Sequence, residues 1–155
     1  MTTYRIEVRT EVQIPTSLRR QVIRAANLTL EDAGRPTDSE LTLVITGETE
    51  MRRLNREYRG LDSVTDVLSF EMKEPLPDGG YYLGDVIIAL PIAVEQAQAG
   101  GHSLIAEVSL LTIHGVLHLL GEDHANPDDK AAMWAKQTRL MEQLGLEAVP
   151  TESQS

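Results

Sequence analysis

The 155-residue chain contains no cysteine, which excludes disulfide bonds and thiolate ligands for a metal ion. It also has no run of about 20 apolar residues, the length of a membrane-spanning helix. Residues 1–5 lack the apolar core of a signal peptide, and we therefore expect a cytoplasmic protein. Basic residues number only 14 against 24 acidic ones, so the formal net charge is −10. This balance excludes a generic nucleic-acid coat protein, which would be basic.

Histidine is scarce as well, but three of the four histidines fall within residues 114–124. On a helix, the i, i+4 spacing of His114 and His118 places both imidazoles on one face. Gly121 can adopt the left-handed conformation that ends a helix, turning the chain so that His124 returns to the same point. Three neutral imidazoles with an open fourth position form the ligand set of a catalytic zinc ion. We therefore predict one zinc ion per chain, bound by these three histidines.

The alternative is that these histidines are ordinary residues of a packed core. A pair at this spacing is common without any metal, so the pair alone would not decide between the two interpretations. The third histidine favours the metal, because several imidazoles in an apolar setting each need a polar partner and one ion serves them all.

Positive charge is concentrated in one short segment, where four of the 14 basic residues occupy eight positions: Arg52, Arg53, Arg56 and Arg59. Arg52, Arg56 and Arg59 have the i, i+4, i+7 spacing of one helix face. Such a face is usually a solvated surface. The acidity of the chain does not exclude RNA as a substrate, but attraction to RNA must then be concentrated locally, as it is in this segment.

The hydrophobic pattern predicts an α+β fold in which a small, mostly four-stranded sheet packs against helices. Strands are predicted at residues 4–9, 41–45, 67–72 and 83–90, a loop at 73–80, and helices at 17–33, 48–60, 91–100, 104–120 and 126–145. The helix at 104–120 is apolar almost all round, so it should be the buried centre that carries the metal ligands. We expect one domain, residues 1–146, and a disordered tail, residues 147–155.

Several segments match one known family. Residues 114–124, HGVLHLLGEDH, resemble the HGxLHLxGxDH signature of the YbeY family, which are bacterial metal-dependent endoribonucleases that mature ribosomal RNA. Residues 54–60 and 65–70 resemble its LNxxYR and TDVLSF segments, and residues 83–86 are similar to its LGDI segment. Glu71 departs from the family, which usually has proline after Ser-Phe, and this bears on the shape of the loop.

The resemblance implies that His114, His118 and His124 bind zinc and that Arg59 takes part in RNA cleavage. It implies a single-strand-specific endoribonuclease of ribosomal RNA maturation and small-subunit quality control. The expected partners are a ribosomal RNA precursor and the assembling small subunit with its proteins, and neither a membrane nor DNA is expected. We predict Arg59 and His114 as catalytic residues, and a substrate-binding face formed by Arg52, Arg56 and Arg59. Whether metal-activated water or the 2′-hydroxyl attacks, and which group is the general base, stays open.

Other polar residues of the matched segments are expected to support the site rather than react. Asp85 should fix backbone or loop geometry, and Asp123 should support the turn or a metal ligand. A loop beside the site should be ordered by Asn55, Thr65 and Asp66. His102, in a Gly-Gly-His-Ser turn, is expected to be an exposed loop residue.

Two rival functions fit parts of the pattern. Metzincin proteases share the spacing of the three histidines, but they place a glutamate directly after the first histidine to act as general base. Gly115 occupies that position here and has no side chain, so proteolysis lacks its base. The other rival is a non-enzymatic ribosome-assembly factor in which zinc only stabilises the fold. An open coordination position argues against that role, since structural zinc usually has four protein ligands.

Overall fold

The computed structural model describes residues 3–147 and residue 149. The predicted α+β fold is confirmed: in the described residues, four strands form one sheet and five helices pack around it. The elements in chain order are β1 (Arg5–Thr10), α1 (Thr16–Asp32), β2 (Ser39–Thr46), α2 (Glu48–Arg59), β3 (Val67–Pro75), β4 (Tyr81–Ala89), α3 (Leu90–Gly100), α4 (Leu104–Leu119) and α5 (Pro127–Gln143).

The sheet has the strand order β1-β2-β4-β3. Strands β1, β2 and β4 are parallel. Helix α1 carries the chain back between β1 and β2, and β3, which pairs with β4 as an antiparallel hairpin, carries it back between β2 and β4. This order leaves β3 at one edge of the sheet. One side of its backbone is therefore not covered by a neighbouring strand.

Helix α4 is the centre of the fold. All of its residues are buried except Leu104, Ile105 and His118. It packs with α1 on one face of the sheet, while α2 covers part of the opposite face and α5 packs on the outer side of α4. The prediction of a buried central helix is confirmed. In the described part of the chain no single helix is long and apolar enough to cross a membrane, and α3 and α4 meet that standard only as a pair bent by 119°.

The hairpin of β3 and β4 differs from the prediction. Strand β3 continues to Pro75, three residues into the predicted loop at 73–80, and β4 begins at Tyr81 rather than at residue 83. A bulge between Glu71 and Glu74 makes this extension possible, with Lys73 at a φ of 51°. Pro75 is tolerated because the end of an edge strand does not require its missing N–H. At its other end β4 stops at Ala89, and the predicted last strand residue instead opens α3.

The expectation that His102 is exposed was wrong. Its side chain is only 6% exposed, and Nε2 lies 2.6 Å from Glu107 Oε1. The ring packs directly over Gly100, where a Cβ atom would lie 2.5 Å from His102 Cε1. The absence of a side chain at Gly100 therefore creates the space in which the imidazole is buried.

The predicted tail is described only in part. Glu147 accepts hydrogen bonds from the backbone N–H and the hydroxyl of Ser103, at 3.2 and 2.6 Å. Val149 packs against the apolar cluster between α4 and α5. Residue 148 and residues 150–155 lie outside the described residues, so disorder there stays a prediction.

Candidate metal centre

The last turn of α4 and the loop after it bring the three predicted ligands together. His114 is fully buried, and His118 follows one turn later at the open end of the helix. Gly121 has a φ of 92°. Hydrogen bonds from Gly121 N to His118 O and from Glu122 N to Leu117 O, both 3.0 Å, close the helix end. The chain reverses there, as predicted, and His124 returns to the other two imidazoles.

The spacing of the imidazoles suits one metal ion. One ring nitrogen from each histidine lies within 4.8 Å of the other two. The Nε2 atoms of His114 and His118 are 3.1 Å apart, close to the separation of about 3.3 Å that a tetrahedral ion at zinc–nitrogen bond lengths would impose. His124 Nε2 is buried and has no hydrogen-bond partner among the described residues. A buried nitrogen without a partner is costly unless a ligand satisfies it, so this donor set fits a metal ion.

Helix α5 fixes the orientation of the buried ligand. His114 Nδ1–H donates to Gln137 Oε1 at 2.7 Å, which leaves Nε2 as the lone-pair nitrogen that faces His118. Trp134 packs edge-on against His114 and His124, with ring centroids 5.6 Å apart in both cases. Sequence reasoning missed both residues. The available signal was a single polar residue, Gln137, within the buried stripe of α5.

Electrostatics keep the half-buried ligand His118 uncharged. Burial, together with the neighbouring His114 and His124, lowers the pKa of His118 to about 4. The imidazole is therefore neutral at pH 7, and its lone pair is available without displacing a proton. This protonation state is the one that metal coordination requires.

A pocket of about 280 Å³ opens beside the histidines. It is lined by Arg59 from the end of α2, by the edge strand β3, and by the loop after α4: Arg59, Val67, Leu68, Ser69, Glu71, His118, Asp123 and His124. The structure thus brings the predicted arginine to the predicted histidines. In the described residues no carboxylate pairs with Arg59, although it lies on an acidic protein.

The other predicted arginines lie away from this pocket, further back on the exposed face of α2. Arg52 Nε is 2.9 Å from Asp62 Oδ1, and Arg56 Nη1 is 3.7 Å from the same oxygen. Arg53 is held between Glu50 and Glu57 on its own helix. Part of the positive charge of this face is therefore neutralised within the protein.

The supporting polar residues take several positions. Asp123 accepts the backbone N–H of His124 at 2.7 Å, within the turn. Asn55 donates to Ser63 O at 3.0 Å and so ties down the loop after α2. Asp85 is not among the residues that line the pocket. It accepts a hydrogen bond from Tyr82. Burial of the tyrosine, together with this hydrogen bond to the carboxylate, raises the pKa of Tyr82 to about 12.

Glu107, by contrast, lies outside the metal centre. It lies on the same side of α4 as His114, seven residues and two turns earlier, about 10 Å along the helix. Its carboxylate contacts His102 and Gln96, in a separate buried polar cluster.

The position after the first ligand excludes a protease-like base for a steric reason. A Cβ atom on Gly115 would lie 2.4 Å from Val86 Cγ1, and the Ser69 hydroxyl donates to Gly115 O at 2.9 Å. Helix α4 and the sheet are thus in direct contact at this residue. The close packing leaves no space for the glutamate that the proteases place there.

The fold and the site define an α+β protein in which a cluster of three imidazoles adjoins a pocket that an arginine lines, and comparisons with known proteins give its family. Residues 5–145 match the family model described as Endoribonuclease YbeY. The chain belongs to this family of nucleases, which confirms the resemblance in the sequence motifs.

Individual relatives agree with this assignment. The endoribonuclease YbeY of Heliobacterium modesticaldum is 43% identical over 129 residues, which cover 76% of this chain and 78% of that protein. The endoribonuclease YbeY of Desulforamulus reducens is 40% identical over 141 residues, covering 88% and 92%. A Thermotoga maritima protein solved in solution shares the fold, with a TM-score of 0.64, 24% identity, and coverage of 90% of this chain and 88% of that one.

Proposed function

We propose that this protein is a zinc-dependent, single-strand-specific endoribonuclease that processes ribosomal RNA. The observation that carries the proposal is a cluster of three imidazoles at the end of the buried helix α4, two of which line a pocket together with an arginine that has no carboxylate partner among the described residues. Nucleases need a group that activates a nucleophile and a cation that binds the phosphate. This pocket offers ligands for the first and Arg59 for the second.

The zinc ion is held by His114, His118 and His124. When bound, an ion with three imidazole ligands and an open position supplies Lewis acidity at neutral pH. The chain prepares the ligands in two ways: burial keeps His118 neutral, and Gln137 fixes the tautomer of His114. Because His114 is both a ligand and part of the reacting centre, we assign it a catalytic role. The end groups of the RNA products distinguish attack by water from attack by the 2′-hydroxyl.

Arg59 binds the scissile or the neighbouring phosphate. A guanidinium offers paired, charge-assisted donors that match two phosphate oxygens, which the point charge of lysine does not. Arg59 is the last residue of α2, directly before the left-handed Gly60, and it lines the pocket.

The substrate is a ribosomal RNA precursor on the assembling small subunit, reached in the cytoplasm, and the cleavage contributes to subunit quality control. The net charge of −10 makes non-specific attraction to RNA weak, so recognition depends on the basic face of α2 and on subunit proteins. Neither a membrane nor DNA takes part.

The basic face can be tested by salt dependence. For naked single-stranded RNA, each neutralised phosphate contributes a slope of about −0.7 in log K against log salt. Changing Arg52 and Arg56 together to alanine is expected to flatten the measured slope by about one to two units. Arg53→Ala is the control, because Arg53 lies outside the face formed by Arg52, Arg56 and Arg59 and contacts two glutamates of its own helix. An equal salt-dependence slope for wild type and the double variant would show that RNA binds elsewhere on the protein surface.

The role of Gln137 can be tested by metal affinity. Gln137→Leu removes the acceptor that orients His114, and loss of such a contact typically lowers metal affinity about 10- to 100-fold. Trp134, the only tryptophan in the chain, contacts two ligands and reports zinc binding by its fluorescence in competition with a chelator. Gln143→Leu, an exposed change on the same helix, should bind zinc as wild type does. Equal zinc affinity of Gln137→Leu and Gln143→Leu would show that Gln137 does not support the metal centre.

The reaction class is tested by offering the protein single-stranded RNA and casein, each with and without chelator. We expect cleavage of RNA only, and only without chelator. Cleavage of casein would identify a protease. A protein that binds zinc but cleaves neither polymer would instead be an assembly factor whose metal stabilises the fold.

A further inference from the structure

The large apolar side chains that the fold leaves exposed are not scattered over the described surface. They are Tyr58, Leu61 and Met72, with exposed fractions of 66%, 49% and 43%. Tyr58 and Leu61 flank the Arg59–Gly60 pair at the end of α2, and Met72 lies on β3 just beyond Glu71. The same two segments line the pocket beside the histidines. Exposed apolar surface that gathers at the rim of a site commonly marks a place where a ligand binds.

Tyr58 is the most exposed of these residues, and packing within the fold does not explain why an aromatic ring is exposed there. It continues the apolar stripe of α2, in which Met51 is fully buried and Leu54 is partly buried against the same cluster. The Tyr58 ring contacts Phe70 edge-on, with centroids 5.1 Å apart and an angle of 62° between the ring planes. Since two-thirds of the residue is exposed, much of the ring surface faces solvent. The tyrosine therefore buries little area of its own.

The aromatic pair lies immediately around the edge of the sheet from the pocket. Successive side chains of a strand point to opposite faces, so Ser69 faces α4 and Phe70 faces the other side. Tyr58 directly precedes Arg59 in the chain. Both residues are exposed at the end of α2, so a single strand whose phosphate contacts Arg59 can reach the Tyr58 ring with a neighbouring nucleotide.

We propose that Tyr58, supported by Phe70, is a stacking platform for one unpaired nucleobase next to the phosphate bound by Arg59. This inference rests on the proposed function and names how its substrate is held. Bases of single-stranded RNA stack readily on aromatic side chains, whereas bases within a duplex are already stacked and paired. The platform thus gives a physical reason for preference of single strands, and it requires no particular base, since every base has a π-face.

The test measures binding rather than cleavage. With chelator present, the affinity of a short fluorescein-labelled oligouridylate is measured by fluorescence anisotropy. We expect Tyr58→Ala to weaken binding about tenfold, the typical effect of losing one base–aromatic stack. Tyr58→Phe keeps the ring and should bind as wild type does. Tyr58→Leu keeps apolar area without the ring and should resemble the alanine variant. Because Tyr58 is largely exposed, all three variants should retain the thermal midpoint of wild type.

A second arm locates the base by replacing single uridines with abasic nucleotides. An abasic nucleotide at one position should weaken binding to wild type by the same factor by which Tyr58→Ala weakens binding of the intact oligonucleotide. The same abasic nucleotide should not weaken binding to Tyr58→Ala any further. Equal affinity of Tyr58→Ala and wild type for the intact oligonucleotide overturns the inference. A patch that binds a protein instead of RNA would give this result. If zinc-loaded wild type still cleaves single-stranded RNA, only the inference about Tyr58 fails. If it does not cleave, the proposed function itself fails.

Discussion

Zinc binding at one ion per chain should disappear when His118 is changed to glutamine. His118 is the half-buried ligand, so the change leaves the buried part of α4 intact, and the folded protein can be compared with wild type. The amide cannot replace the imidazole nitrogen that faces His114 Nε2 at 3.1 Å. Two remaining imidazoles hold a metal far more weakly than three. Metal analysis of untagged protein is expected to give about one zinc per wild-type chain and almost none per variant chain.

The fourth histidine provides the matched control. His102 is buried against Glu107, outside the metal centre, and His102→Gln preserves a donor to that carboxylate. This variant should keep one zinc per chain, whereas the combined alanine variant of His114, His118 and His124 should bind none. Zinc that persists in the combined variant at the wild-type ratio would contradict the assignment of the ligands.

RNA cleavage should be abolished in Arg59→Glu, although zinc remains bound. The change places a negative charge where the phosphate must bind, and losing one charge-stabilising donor of a reaction centre typically costs about 10²- to 10³-fold in rate. Arg59 is exposed and has no carboxylate partner in the described residues, so the fold should not change. Cleavage of a labelled single-stranded RNA, zinc content and the circular dichroism spectrum are measured on the same preparation.

Arg59→Lys separates charge from geometry. Lysine retains the positive charge but not the paired donors, so this variant should cleave at a rate between wild type and Arg59→Glu. A wild-type rate in Arg59→Glu would show that this arginine does not bind the phosphate. Loss of zinc together with loss of cleavage would instead assign Arg59 to the support of the metal centre.

The central helix was predictable because its pattern is local. Residues 104–120 are apolar almost all round, and Ser103 caps their helix by accepting from Ala106 N at 3.1 Å. The turn at Gly121 was equally predictable from one glycine. The extension of the β3–β4 hairpin beyond the predicted strands was not, since the bulge between Glu71 and Glu74 is set by pairing with Tyr82 and Gly84 across the hairpin. Local composition there, with charges and prolines, indicates a loop.

The site shows the same division. The histidines and Arg59 were predictable from spacing and from the matched motifs; the structure clusters the three histidines and places Arg59 in the pocket that His118 and His124 line. Gln137 was missed because its contact with His114 joins residues 23 positions apart and depends on how α5 packs. His102 was misplaced for a related reason, as the space over Gly100 exists only in the folded chain.

One measurement tests the central claim most directly: cleavage of single-stranded RNA by chelator-treated protein as zinc is added back. Activity is predicted to be absent without metal, to rise in proportion to bound zinc up to one ion per chain, and to stay absent in His118→Gln. Wild-type rates in the fully chelated protein, or full activity in His118→Gln, would contradict a reaction centred on these three histidines.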